Sequence, residues 1–209
     1  GNFADYQKWI FTVFAQQPNG AAIKGAAIFP AWDGGGTIKI VPYVETEESA
    51  LDAPTAETLG ALKQFLDPEP LDGKGAGVAP IGHAITIEEP TFEEWKTEAG
   101  VQTRAGIAEI TGEEKEAAAA EVKAAIEAEM LESVTKAEST FPTEAAYTFE
   151  FTRGMFVNAI MGDNINPRFN DVVSIKVNGE DFTGATYAQT ATGHIMPRFK
   201  SLTLTRATP

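Results

Sequence analysis

The sequence has no cysteine, which excludes disulfides, thiolate metal sites, iron–sulfur clusters and thiol catalysis together. Histidine is nearly as scarce: His83 and His194 are the only two, so few side chains titrate near neutral pH. No apolar run approaches the roughly 20 residues that a membrane-crossing helix needs. The longest runs, such as residues 9–15 and 155–161, fall far short of that. There is no Asn-x-Ser/Thr acceptor for N-glycosylation. Basic residues are also few, with 16 Lys and Arg against 30 Asp and Glu and a net charge of −14. That balance argues against nucleic acid as a partner, because neutralising phosphates takes clustered Lys and Arg. It argues equally against an anionic membrane surface, and membrane insertion is not expected.

What is present suffices for a core. The 209 residues are 43% apolar and include 13 Phe and 3 Trp. A chain of this size buries about 70% of its unfolded surface without staples. The charge is segregated: residues 45–138 hold 22 acidic and 7 basic side chains, residues 1–44 hold 2 and 3, and residues 139–209 hold 6 of each. Composition shifts at the same places, with Val, Ile, Thr and aromatics at the ends and Glu and Ala in the middle. The expected organisation is a single α+β domain over residues 1–209. Residues 1–44 and 139–209 would supply an antiparallel β-sandwich or barrel-like framework, with 45–138 an acidic, helix-bearing insertion or subdomain. Two consecutive domains are the alternative.

Residues 6–16 fit two periods. Trp9, Phe11, Val13 and Ala15 alternate like a strand face, whereas Phe3, Tyr6, Ile10, Val13 and Phe14 form a helical stripe. Aromatic and β-branched content favours the strand. Strands are expected at 21–29 and 37–44, joined by the loop 30–36, with Pro42 making the second an edge or bulged strand. A helix is expected from Thr55 to Leu66, ended by Asp67-Pro68. Residues 67–82, rich in Gly and Pro, read as loop, and 83–88 as a short strand. Thr91-Phe92-Glu93-Glu94 has the spacing of a capping box and could open one helical turn.

The long helix, about 112–137, is the best-specified element. Thr111-Gly112-Glu113-Glu114 is a capping box, and the acidic first turn suits the positive helix end. Val122, Ile126, Met130 and Val134 recur every four residues as a narrow apolar stripe, so the helix should lie on something larger. That surface is either its own sheet or a neighbouring subunit, which makes these four residues candidate interface positions. After Pro142 the chain reads as strand to its end. Tyr147, Phe149 and Phe151 alternate with polar residues. Asn178-Gly179 marks a type I′ hairpin that pairs Ile175 with Phe182 and Lys176 with Asp181. A last strand over 199–206 carries its hydroxyl residues on one face.

None of the motifs tested carries chemistry. Gly73, Gly75 and Gly77 lack the offset glycine and the strand–helix context of a dinucleotide site. Residues 20–25 have Walker spacing, but Ala26 replaces the lysine; both segments read as flexible loops. The serines stand outside any nucleophile elbow, and neither histidine has metal-ligand spacing. Asp163, Asn164, Asn166, Asn170 and Asp171 form an oxygen-rich cluster suited to calcium, yet turn chemistry explains the same residues. No catalytic residue, metal or cofactor is therefore expected.

The expected function is a non-enzymatic structural or assembly subunit of a larger homo-oligomeric particle, partnered by itself and by other subunits. It has the general look of bacteriophage-type virion components (capsid decoration, neck or tail), although no motif ties it to such a family. A virion or extracellular location fits better than a cytoplasmic one. The alternative is a secreted or surface carbohydrate- or ligand-binding β module using Trp32, Tyr43, Trp95 or Tyr187 as stacking surfaces. A small hydrolase with a carboxylate or histidine site stands third.

Overall fold

Tyr6, Ile10 and Phe14 recur every four residues, and each is at most 1% exposed. That period decides the ambiguous opening segment in favour of helix. In the computed structural model, α1 (Phe3–Lys8) runs into a π-helical turn (Trp9–Val13) and a 3₁₀ turn (Phe14–Gln16). The strand expected here is thus corrected. The alternating residues Trp9, Phe11, Val13 and Ala15 are only half-buried, and the spacing of four supplies the core face.

The structure describes residues 3–18, 23–47, 49–107, 109–135, 147–162, 169–189, 192–193 and 195–207. The fold is α+β, with four α-helices among the described residues and mainly antiparallel sheets that close into no barrel. The chain forms two units. The first comprises Gly1–Thr91, Met130–Thr148 and Ala188–Ile195, and the second Phe92–Glu129, Phe149–Tyr187 and Met196–Pro209. The acidic segment 45–138 contributes to both.

In the first unit, β1 (Ile23–Pro30) and β2 (Thr37–Val44) form an antiparallel hairpin, and β3 (Ala84–Ile87) joins β2 in parallel. β2 is therefore the middle strand, not an edge. Pro42 is tolerated because β3 pairs only with Thr37 to Ile40. The hairpin bond from Ala31 N–H to Thr37 O sets the alternation. It turns Pro42 away from β1, towards a stretch with no ladder bond to lose. α2 (Ala56–Leu66) starts at Thr55, whose hydroxyl accepts the Thr58 N–H at 3.2 Å. Its Leu62 and Leu66 join Tyr6, Ile10, Phe14, Ile28, Ile40 and Ile85 in one buried cluster.

In the second unit, four strands lie in the order β7 (Glu180–Asp181), β6 (Phe169–Val177), β4 (Thr91–Thr103), β9 (Ile195–Arg206). β5 (Tyr147–Thr152) pairs with β8 (Gly184–Gln189). β4 corrects the helical turn expected at Thr91. Trp95, Thr97, Ala99, Val101 and Thr103 are buried at every second position, a strand face partly hidden by its threonines. α4 (Arg153–Met161) corrects the all-strand reading after Pro142. Its cap is Thr152, whose hydroxyl accepts the Met155 N–H at 3.3 Å while the Met155 sulfur faces the Thr152 N–H at 3.5 Å. Phe156 and Ile160 then fall one turn apart on the buried side. The expected hairpin is present in its expected register, with Asn178 at φ 53° and Gly179 at φ 87° and Lys176 opposite Asp181. Phe182 N–H bonds Ile175 O at 2.8 Å.

α3 (Gly112–Thr135) opens with the expected reciprocal cap. Thr111 N–H donates to Glu114 Oε2 at 2.6 Å, and Glu114 N–H donates to Thr111 Oγ1 at 3.3 Å. Its residues to Glu129 count with the second unit and those from Met130 with the first. At its end, Val134 lies so close to β1 that a Cβ on Gly25 would stand 2.6 Å from its Cγ2. Gly25 lies within the strand expected at 21–29, and its missing side chain makes room for the helix.

Candidate functional site

The first unit contains a loop whose shape is fixed by bonds rather than by regular structure. α2 ends at Asp67, and Pro68 prevents it from continuing. The Asp67 side chain turns inward and is 1% exposed. Its Oδ1 accepts the Gly73 N–H at 2.8 Å, and its Oδ2 accepts the Ile85 N–H at 2.9 Å and the Lys63 ammonium at 3.2 Å. Lys63 also donates to Ile85 O at 2.8 Å and to Asp72. Burial works against the Lys63 charge, but its hydrogen bonds to Asp72 and Asp67 outweigh that and raise its pKa. One lysine and one buried carboxylate thus tie α2, β3 and the loop 67–83 together.

Further bonds complete the loop. Val78 and Ala79 N–H donate to Phe65 O and Leu66 O at 3.1 and 2.9 Å, and Gly82 N–H donates to Gly73 O at 2.7 Å. Gly77 is required there, since a Cβ would stand 2.3 Å from Leu66 O. Of the three glycines read as a flexible loop, Gly77 sits against backbone and Gly75 against Ile81, whose Cγ1 would lie 2.7 Å from an added Cβ, whereas Gly73 has nothing nearer than 4.0 Å. The loop nonetheless turns apolar side chains outward: Leu71 is 45% exposed, Val78 37% and Ile81 81%. Only Val173 and Ile195 share that exposure among the large apolar residues described. Glu69 and Lys74 are exposed on the same loop. Sequence reasoning missed these three apolar residues. Their one signal was apolar side chains in a Gly/Pro-rich stretch with no period to bury them.

His83 closes the loop. Its Nδ1 lies 2.7 Å from the hydroxyl of the buried Tyr6. Burial lowers the His83 pKa, and burial, followed by the charge of Asp67, raises that of Tyr6. Both directions favour a neutral pair in which the tyrosine O–H donates to the imidazole. The histidine is thus bonded to a phenol, not poised against a serine or carboxylate. His194 lies outside the described residues, as do Asp163, Asn164 and Asn166 of the oxygen-rich cluster. Asn170 and Asp171 are exposed residues of β6, and Asp171 Oδ1 accepts the Val172 N–H at 2.8 Å.

The four stripe residues of α3 are all buried within the single chain: Val122 at 0%, Ile126 at 1%, Met130 at 2% and Val134 at 1%. In this conformation they offer a partner no accessible surface. The aromatic residues considered for ligand stacking are mostly enclosed too. Tyr43 is 0% and Trp95 1% exposed. Trp95 is ringed by Phe151, Phe182 and Tyr187 with centroids 5.0, 5.8 and 5.7 Å away. Its indole N–H donates to the Tyr187 hydroxyl at 3.2 Å, which donates in turn to Glu93 at 2.8 Å. Burial, then the bond to Glu93, pushes the Tyr187 pKa up to about 12. Trp32 is half-buried, with the Lys39 ammonium 4.3 Å from its ring centroid. Three glutamates of this region have specific partners: Glu88 pairs with Lys39, Glu93 accepts from Tyr187 and Glu94 pairs with Lys200.

Comparison with known proteins bears on the first unit. Residues 1–89 match the family model described as the Baseplate J-like central domain. The match ends beside Thr91, where the first segment of that unit ends. The chain is similar to the uncharacterized protein YqbT of Bacillus subtilis (strain 168), with 35% identity over 100 residues. It is also similar to the phage-like element PBSX protein XkdT of the same strain, with 34% identity over 100 residues. Each alignment covers 48% of this chain and 25% of the relative, so the chain spans about a quarter of the length of the relatives it matches.

Proposed function

We propose that this chain is a non-enzymatic structural subunit of a bacteriophage-type tail or baseplate, working through contacts with other subunits and with copies of itself. The observation that carries this reading is the Baseplate J-like match over residues 1–89. Its extent follows that of the first unit's largest segment, a piece that folds around its own buried cluster. The likeness to a protein named for a phage-like element supports the same reading. The local chemistry agrees with it. The polar groups that could have served a reaction are engaged in holding loops and strands, as Asp67, Lys63, His83 and Glu93 show. A subunit of an assembly needs that kind of fixed surface more than it needs a pocket.

The test is biochemical. Tail-like particles would be purified from the organism that encodes this chain and their proteins identified by mass spectrometry. Peptides of this chain are expected in the particle fraction, in stoichiometric amounts with other tail proteins. Particles complete in those proteins and lacking this chain would overturn the reading.

A further inference from the structure

We propose that Asn178-Gly179 is a self-modification site, an asparagine that loses its amide to the backbone, and that the folded hairpin keeps it shut. The chemistry needs only this dipeptide and water. The Gly179 nitrogen gives up its proton and bonds to Asn178 Cγ, and the side-chain nitrogen leaves as ammonia with a proton in exchange. Water then opens the five-membered imide at either carbonyl. The product is an aspartate, or an isoaspartate whose main chain runs through the former side chain. Glycine admits the attack because no Cβ crowds its nitrogen. Both residues are exposed, and nothing lies within 4 Å of a Cβ placed on Gly179. They line an open groove of about 500 Å³ with Glu94, Lys96 and Glu98, so water reaches them.

The hairpin withholds the geometry, not the reagents. In the imide ring the Gly179 nitrogen eclipses Asn178 Cβ. Asn178 at φ 53° and Gly179 at φ 87° instead form a type I′ turn. The small ψ of its first central residue turns the Gly179 nitrogen towards the nitrogen of Asn178 and away from that position. Closing the ring therefore requires rotation about the Asn178 Cα–C bond, which must move one side or the other. Moving the chain after it breaks the pairing of Val177 with Glu180 and of Lys176 with Asp181. Moving Asn178 itself breaks its clamp on β4. There Lys96 N–H donates to Asn178 Oδ1 at 3.0 Å, and Asn178 N–H donates to Lys96 O at 2.9 Å. The side-chain oxygen thus serves as the acceptor that extends the ladder one residue past Thr97 and Val177. Modification proceeds through the fraction of molecules in which this hairpin is open, and its rate reports that fraction.

Peptide mapping by mass spectrometry tests this on the full chain, aged in native buffer and in guanidinium chloride at the same pH and temperature. Asn19-Gly20 supplies the same dipeptide as an internal clock for the unfolded chain. In denaturant the two asparagines should convert at similar rates, and conversion of Asn19 alone would overturn the site. In native buffer Asn178 should convert at about one tenth of its denatured rate or slower. Equal rates in the two solutions would overturn the protection. Phe182→Ala removes a buried anchor just beyond the turn, packed on Trp95 and Phe156 with centroids 5.8 and 5.0 Å away. It should speed conversion of Asn178 several-fold in native buffer and leave the denatured rate unchanged. An unaltered native rate in that variant would overturn hairpin opening as the gate.

Discussion

Helix α3 and the loop 67–83 dispose of their apolar residues in opposite ways. The helix carries its apolar side chains at a regular spacing of four, and all four are at most 2% exposed. The loop carries Leu71, Val78 and Ile81 without any period, and its backbone bonds turn them outward. In the helix the backbone satisfies itself and the side chains make the core. In the loop, irregular backbone–backbone bonds and the Asp67 carboxylate hold the chain, and the apolar side chains are left over. The lesson concerns interfaces: a narrow apolar stripe on a helix looks like a docking surface in sequence, yet here it is covered by its own chain. The large apolar side chains that stay exposed here, Leu71, Val78 and Ile81, lie in a stretch that sequence reasoning passes over as turn.

The sharpest break of this comparison is a pair of identical substitutions. Ile126→Ala in α3 should cost about 2–5 kcal/mol of stability in denaturant titration, the range for emptying a packed core site. Ile81→Ala should stay within about 0.5 kcal/mol, as for exposed positions. Equal effects would erase the distinction between the two regions.

The next test concerns what holds the loop. Asp67→Asn removes the charge paired with Lys63 and one full acceptor for the N–H groups of Gly73 and Ile85. A loss of about 2 kcal/mol is expected, the scale of a buried polar group left unsatisfied. Limited proteolysis should then cut within residues 67–83 sooner than in the wild type. An unchanged cleavage pattern would mean that Asp67 does not hold the loop. Thr111→Ala sharpens the helix side of the comparison. It removes the hydroxyl half of the reciprocal cap and should cost about 1 kcal/mol. The effect should be partly reproduced by Glu114→Ala, whose carboxylate supplies the other half.

How much of this was readable in the sequence depended on whether the signal was local. The cap at Thr111 and Glu114, the Asn178-Gly179 turn and the Asp67-Pro68 stop each involve neighbours in the chain, and each is found as expected. α4 was missed because Met155 stands where a capping box has Glu or Gln, so the pattern carried no recognisable residue. β4 was hidden because Thr91 and Glu94 imitate a cap and Thr97 occupies an inward position. The opening helix was misread because two periods fit residues 3–16, and the choice is made by the buried cluster those residues join. The loop was the least readable of all. Its exposure is fixed by bonds to Phe65, Leu66 and Ile85, which span up to 18 residues.

The smallest expected effect is a pH dependence at the loop's end. Burial holds the His83 pKa below its ordinary value, so protonating it is costlier in the folded chain than in the unfolded one. The stability tied to the neutral imidazole is therefore complete above the unfolded value of about 6.5. It is lost as pH falls from there through the lower folded value, because the unfolded chain then binds the extra proton. The Tyr6 hydroxyl adds to this, since protonating Nδ1 destroys the acceptor at 2.7 Å. His83→Gln retains an acceptor and cannot titrate. Melting curves at pH 7.5 and 5.5 should show a smaller drop for His83→Gln than for the wild type, on top of the acid losses common to both. Ile81→Ala lies two residues away but leaves the histidine bond intact, so its drop should equal that of the wild type. If His83→Gln falls as far as the wild type does, the imidazole is not held neutral by its burial against Tyr6.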